Sequence, residues 1–531
     1  MSTTQTQDLI FALTRLHPLP GEALDAGDVA ALVEEMHKFT EGVVEPARLA
    51  ADRTGARYVD GAVRCPPEHR AIYAQWVEAG WQGLPADPAH GGQGLPFALA
   101  AAMKELLCTA DHSFSLCPTL SWGAIELLEK HATEDQAARL LPSLVSGEWN
   151  GTMCLTEPQA GSDLSTIRTR AEPLGDGRFA LHGQKIYITY GDNDLSANTL
   201  HLVLARLPDA PAGSRGISLF AARKLKPDGS PNAMRCGGIE HKLGIHASPT
   251  CVMLFEGAEA ELVGEPHRGL PAMFAMMNNA RLQVGIEGVA AGARALRLAE
   301  SYAAQREQGG RPIARHPDVA RMLAEIRAMT LAGRFLAMEA CVAADEARAG
   351  VPGAEAKLAL LTPIVKAWCT DRGVEAASLG IQVHGGMGFV EDSGAAQVLR
   401  DARIAPIYEG TNGIQALDLV TRKVGRDQGA VLRGMIAAAR EADPRLAPAA
   451  EALEGATRWI LAAAPDEAAA SASAYLAACG WFLGAAQLSR AALLDVRYAP
   501  MAAFYRARLL PRAEAHCLEA AGAGEVLALL A

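Results

Sequence analysis

The sequence predicts a mainly α-helical protein interrupted by one β domain. Three observations carry this reading. Apolar residues recur at helical spacing before about residue 150 and again after about 270. Between those limits the period shortens to alternation, broken by turn residues. From about Arg426 to Ala531 the chain is rich in Ala and Leu and returns only helical patterns. The expected divisions are a helical domain over 1–150, a compact antiparallel sheet domain over 151–265, a helical domain over 266–425 and an added helical domain over 426–531.

In the first division, helices are expected at Asp28 to Ala51, Pro67 to Trp81, Pro96 to Cys108, Trp122 to His131 and Gln136 to Ser146. The Pro- and Gly-rich stretch Pro85 to Gly94 reads as a loop. Strands follow at Arg178 to Gly183, Lys185 to Thr189, Leu200 to Ala205, Gly216 to Phe220 and Thr250 to Phe255. Long amphipathic helices then cover Arg281 to Arg306, Pro317 to Ala347 and Leu358 to Leu379, with a shorter one at Gly394 to Leu399.

Bulk properties narrow the function. Half of the 531 residues are hydrophobic and 21% are charged, which suits several buried cores and excludes a disordered chain. The net charge of −11 argues against a nucleic-acid surface. Ten cysteines occur without CxxC pairs or ligand-like spacing, so reduced thiols in a cytoplasmic protein are expected, and no metal site. The first residues lack the basic start and apolar core of a signal peptide. Ala468 to Ser489 carries no charge and could span a bilayer, but its Ala, Ser and Gly content favours a packed bundle helix. No transmembrane span is expected.

Two distant segments carry the chemistry. One is Met153-Cys154-Leu155-Thr156-Glu157-Pro158-Gln159-Ala160-Gly161-Ser162-Asp163; the other is Ile407-Tyr408-Glu409-Gly410-Thr411-Asn412-Gly413. In the first, Pro158 and Gly161 force the backbone out of regular structure and free N–H groups and hydroxyls; by itself it reads equally as a capped turn. In the second, Gly410 permits a tight path beside a carboxylate, although an isolated Glu-Gly is more often a surface turn. Gln382-Val383-His384-Gly385-Gly386-Met387-Gly388-Phe389 precedes it, and alone would read as a helix C-cap. His384 reads as a structural histidine.

Together these segments resemble the acyl-CoA dehydrogenase family over roughly Asp28 to Arg426. Gly151 to Pro158, Gly238 to His246 and Asn412 to Leu419 are most similar to its longer bacterial branch, whose members take methylthio-, short, medium and longer acyl-CoAs and carry an extra C-terminal helical domain. The resemblance implies an acyl-CoA dehydrogenase fold: a helical N-terminal domain, a β-sheet domain, and a C-terminal four-helix bundle. It implies bound FAD and α,β-dehydrogenation of an acyl-CoA, 3-methylmercaptopropionyl-CoA or a short- to medium-chain fatty acyl-CoA, to a trans-2-enoyl-CoA. Electron-transfer flavoprotein as acceptor and a homodimer or higher homo-oligomer are implied with it.

Carried over position by position, Glu409 becomes the catalytic base. Met153, Leu155, Thr156, Gly161, Ser162, Tyr187, Ile188 and Thr189 become flavin contacts, with Tyr187 where the family most often has Trp. Arg306 and Gln308, from Tyr302 to Gly309, would meet the FAD of a neighbouring subunit, although the usual Phe-Gly after that Arg is missing. Gln382, Gly385 and Gly386 would reach the flavin's pyrophosphate or adenosine, and Thr411 would also contact the cofactor. Ser162, Asn278, Arg281 and Gly410 would contact substrate. Some relatives carry their base beside the residue equivalent to Arg281; here that neighbour is Ala280, which cannot take a proton. Two rivals share the motifs: an acyl-CoA oxidase, and a non-catalytic flavoprotein that binds nucleic acid.

Overall fold

The computed structural model describes residues 3–21 and 24–529. The fold is helical with one central sheet, in the predicted order. The chain forms two compact units. One comprises Met1–Lys38, Pro96–Thr109 and Arg281–Ala531; the other comprises Phe39–Leu95 and Ala110–Ala280.

The second unit holds a small hairpin, β1 (Arg57–Val59) and β2 (Ala62–Arg64), and a seven-stranded sheet. Its strands are β3 (Trp149–Cys154), β4 (Arg170–Gly175), β5 (Arg178–Thr189), β6 (Asn198–Arg206), β7 (Ile217–Arg223), β8 (Met234–Ile239) and β9 (Thr250–Val263). They pair in the order β3-β6-β4-β5-β9-β7, with β8 on β9, and β6 also pairs β7, so the sheet rolls back on itself. Most pairings are antiparallel, as the alternation predicts. The β3–β6 pairing is parallel, because the β4–β5 hairpin leaves and returns between them. The interior of the roll is apolar, with Val203, Phe220, Cys251 and Phe255 among its buried residues.

Strands β3, β4 and β8 were not apparent from alternation. β3 is buried on both faces, β4 contains Pro173 and is almost wholly exposed, and β8 contains Gly237 and Gly238. The strand expected as two pieces at Arg178 to Thr189 is one, broken by bulges at Leu181/His182 and between Lys185 and Ile188. The helix expected from Trp122 begins at His112 instead; its first turns escape a periodicity reading because every residue from His112 to Pro118 is buried and no exposed polar face marks them.

In the first unit the long helices Pro317–Arg348 and Ala354–His384 pack on each other, and Gly285, Gly288 and Gly292 bring Arg281–Gln305, the C-terminal part of a helix that begins at Gly269, against Val365, Cys369 and Thr330. The helix Pro465–Leu494 is long and apolar enough to cross a membrane, but 67% of its most apolar window is buried inside the protein. Gly480 shows why it packs so closely: a Cβ there would lie 2.2 Å from Cγ of Trp368. Trp481 meets the same indole edge-on, with ring centroids 5.3 Å apart. This contact ties the C-terminal helices to the helix Ala354–His384. All ten cysteines are free and buried.

Candidate active site

Glu409 lies between the helices Ala395–Ala402 and Asn412–Asp418. Thr411 caps the second, its hydroxyl accepting the Ile414 N–H at 3.3 Å. Glu409 and Gly410 are consecutive left-handed residues, with φ of 57° and 87°. For a glutamate this costs about 1–2 kcal/mol, and such a conformation persists only where its surroundings fix it.

The surroundings hold the main chain. The Glu409 carbonyl accepts from Arg281 Nε and Gln415 Nε2, both at 3.3 Å. The Gly410 carbonyl accepts from Lys366 Nζ at 2.8 Å. Lys366 also donates to Asn412 Oδ1 at 2.9 Å, and Asn412 Nδ2 donates to Asp371 at 2.8 Å and to the Ala367 carbonyl at 3.1 Å. One residue before the base, the Tyr408 hydroxyl donates to Glu287, whose other oxygen pairs with the buried Lys104 at 2.7 Å.

The Glu409 side chain is treated differently. It is half-buried, and no described residue donates a hydrogen bond to its carboxylate. The N–H groups of Glu409, Gly410 and Thr411 likewise have no acceptor among the described residues. Burial pushes the carboxyl up to about 7; the Arg281 and Lys366 cations pull against that rise, and Glu287 adds to it. A carboxylate poised near neutrality beside unused N–H donors can take a proton from carbon while those donors receive the charge that develops.

The segment 153–163 is organised around Glu157. Its carboxylate accepts from Lys185 Nζ (2.9 Å), the Thr169 hydroxyl (2.6 Å) and N–H (3.0 Å), the Arg168 N–H (2.6 Å) and Gln159 Nε2 (2.7 Å). Burial works to raise its pKa, but Lys185 and these donors outweigh it and bring the carboxyl down to about 2. Lys185 also donates to the Leu155 carbonyl at 2.9 Å. In the bulge that follows, the Ile186 N–H turns to the Thr156 carbonyl (2.9 Å), and Tyr187 sits at φ 61° with 60% of its surface exposed.

The bed this builds suits a flavin ring. It presents an exposed aromatic face, and the hydroxyls of Thr156, Ser162 and Thr189 have no partner among the described residues. Gly161 is exposed with open space around it. The Leu155 and Ile188 side chains lie in the apolar core, so only their main-chain groups are available there; Met153 is partly buried.

The remaining predicted residues are dispersed. Arg306 leads into an exposed hairpin, β10 (Glu307–Gln308) and β11 (Arg311–Pro312), turned by Gly309 and Gly310. Gln382, Gly385 and Gly386 are exposed at the end of the helix Ala354–His384. His384 is buried, bonded to the Gly380 carbonyl at 2.7 Å and stacked on Tyr302. Asn278 is exposed on its helix. Sequence reasoning missed the Glu157–Lys185 pair, Lys366 and Asn412. The one available signal was a lone Lys inside the apolar run Leu360 to Cys369.

Three family profiles match in chain order: acyl-CoA dehydrogenase, N-terminal domain over residues 28–148, middle domain over 152–258, and C-terminal domain over 267–424. The chain belongs to the acyl-CoA dehydrogenase family and is an enzyme of that class, an oxidoreductase. Among its relatives, it is 46% identical over 452 residues to 3-methylmercaptopropionyl-CoA dehydrogenase of Ruegeria pomeroyi, covering 80% of this chain and 77% of that protein. It is 33% identical over 435 residues to a butyryl-CoA dehydrogenase of Syntrophomonas wolfei, covering 76% and 71%. The fold also matches an acyl-CoA dehydrogenase from Bacillus anthracis complexed with FAD, with TM-score 0.78, 20% identity, and 95% and 89% of the two chains covered. Butyryl-CoA dehydrogenase of Megasphaera elsdenii matches with TM-score 0.65 and 25% identity, covering 76% of this chain and 98% of that one.

Proposed function

We propose that this enzyme uses FAD to dehydrogenate an acyl-CoA thioester between its α- and β-carbons, giving the trans-2-enoyl-CoA, with Glu409 as the base. The observation that carries the proposal is the state of Glu409: its main chain is clamped, its carboxylate has no donor among the described residues, and burial raises its pKa to about 7.

The α-proton of a thioester is weakly acidic, and its removal puts negative charge on the carbonyl oxygen. Glu409 takes that proton once ionised. The unused N–H groups of the 409–411 turn are the donors for the oxygen. FAD supplies, when bound, a two-electron acceptor for the hydride leaving the β-carbon. Thr156, Ser162, Tyr187 and Thr189 hold its ring, and Glu157 and Lys185 keep their loop in shape.

The substrate proposed is 3-methylmercaptopropionyl-CoA or a short- to medium-chain fatty acyl-CoA, supported by the 46% and 33% identical relatives. Electron-transfer flavoprotein as acceptor and a homodimer rest on family membership. A cytoplasmic location fits ten unpaired thiols. The test is an anaerobic screen: flavin absorbance is followed as acyl-CoAs of graded length, including the methylthio compound, are added. Bleaching by the methylthio or a short- to medium-chain compound is expected. Bleaching by none would remove the proposed activity.

A further inference from the structure

Lys366 is the lone charged residue in the apolar run Leu360 to Cys369, and its side chain is completely buried. A buried ammonium is normally paired with a carboxylate. This one donates to two neutral oxygens, the Gly410 carbonyl and Asn412 Oδ1, and forms no ion pair with any described residue. Its compensating charges act from further away, Glu409 foremost, then Asp371 and Glu287.

We propose that Lys366 is a positioning residue for Glu409, clamping the left-handed turn through Gly410 and Asn412 while holding a positive charge beside the carboxylate. The inference rests on Glu409 being the base. Arg281 and Glu287 face the same carboxyl from the helix Gly269–Gln305, and Tyr408 adjoins it in its own segment. Arg281 bonds the Glu409 carbonyl. Among the described residues, Lys366 alone bonds the Gly410 carbonyl. Burial brings Lys366 itself down to about 8, so base and cation titrate close together and each stabilises the charged form of the other.

The two roles separate by mutation. Lys366→Gln keeps a donor for the Gly410 carbonyl but removes the charge. The acid limb of its kcat/KM profile is expected to move up by about one pH unit, a loss of roughly 10-fold at pH 6 that fades above pH 8. Asn412→Ala keeps the charge and loosens the clamp, so kcat should fall at every pH with the limb in place. A Lys366→Gln profile that superimposes on the parent's after scaling would overturn the proposal. Reciprocity gives a readout that does not depend on turnover. In Glu409→Gln, the Lys366 Nζ followed by 15N NMR should deprotonate about one pH unit below the parent; an unchanged titration overturns the coupling. Retained turnover in Glu409→Gln would instead refute the base assignment, whereas an inactive Glu409→Gln with a stationary Lys366→Gln limb refutes only the role of Lys366.

Discussion

Glu157 and Glu409 are two glutamates placed in opposite circumstances. Glu157 receives donors on both oxygens and is held near 2; Glu409 receives none on its carboxylate from the described residues and rises to about 7. Each site includes a left-handed non-glycine residue: Tyr187 at φ 61°, two residues beyond Glu157's partner Lys185 in β5, and Glu409 itself at φ 57°. In the first site the carboxylate is the fastener and the aromatic ring is presented. In the second the main chain is fastened, through Arg281, Gln415 and Lys366, and the carboxylate is presented. The lesson is that a saturated carboxylate builds a site, and an unsaturated, partly desolvated one is available for chemistry.

The comparison can be broken most severely at Lys185. Lys185→Met leaves Glu157 buried without its cation, and breaking such a pair costs about 3–5 kcal/mol. A large fall in melting temperature with loss of bound flavin is expected in calorimetry and absorbance; a variant that keeps both would show that the pair is dispensable. A smaller effect comes from pH. Because the folded-state pKa of Glu157 lies below its unfolded value, its contribution is present above about pH 4.5 and is lost as pH falls towards 2. Glu409 has the opposite sign: its raised pKa makes its ionised form unfavourable to folding at higher pH, an effect complete above about 7. Melting curves across pH should therefore show Glu157→Gln less sensitive to acid than the parent. An identical acid dependence in the two proteins would contradict the role given to Glu157.

Much of this architecture was legible in the sequence. The switch from helical spacing to alternation near Gly151, and back near Leu270, marked the sheet because each period reflects which side chains meet a core. Segments without a polar face escaped: β3, buried on both sides, and His112 to Pro118, buried all round. The peptides around Thr156 and Glu409 were recognisable because Pro158, Gly161 and Gly410 mark breaks in regular structure and the segments together resemble the family's motifs. Their fasteners were not. Lys185 and Glu157 stand 28 positions apart and Lys366 and Gly410 stand 44 apart, and only the folded chain makes them neighbours. Likewise, the single letter Glu at 157 and at 409 does not disclose which carboxylate will be saturated with donors.

The most direct measurement is anaerobic stopped-flow reduction of the flavin in Glu409→Gln, with an acyl-CoA that reduces the parent enzyme. The substitution removes the base while preserving its size, so flavin content and melting temperature should stay near the parent's. The rate of bleaching should fall by at least ~100-fold, the lower end for a general base. Bleaching at near the parent's rate in a flavin-loaded Glu409→Gln enzyme would contradict the assignment of Glu409 as the base.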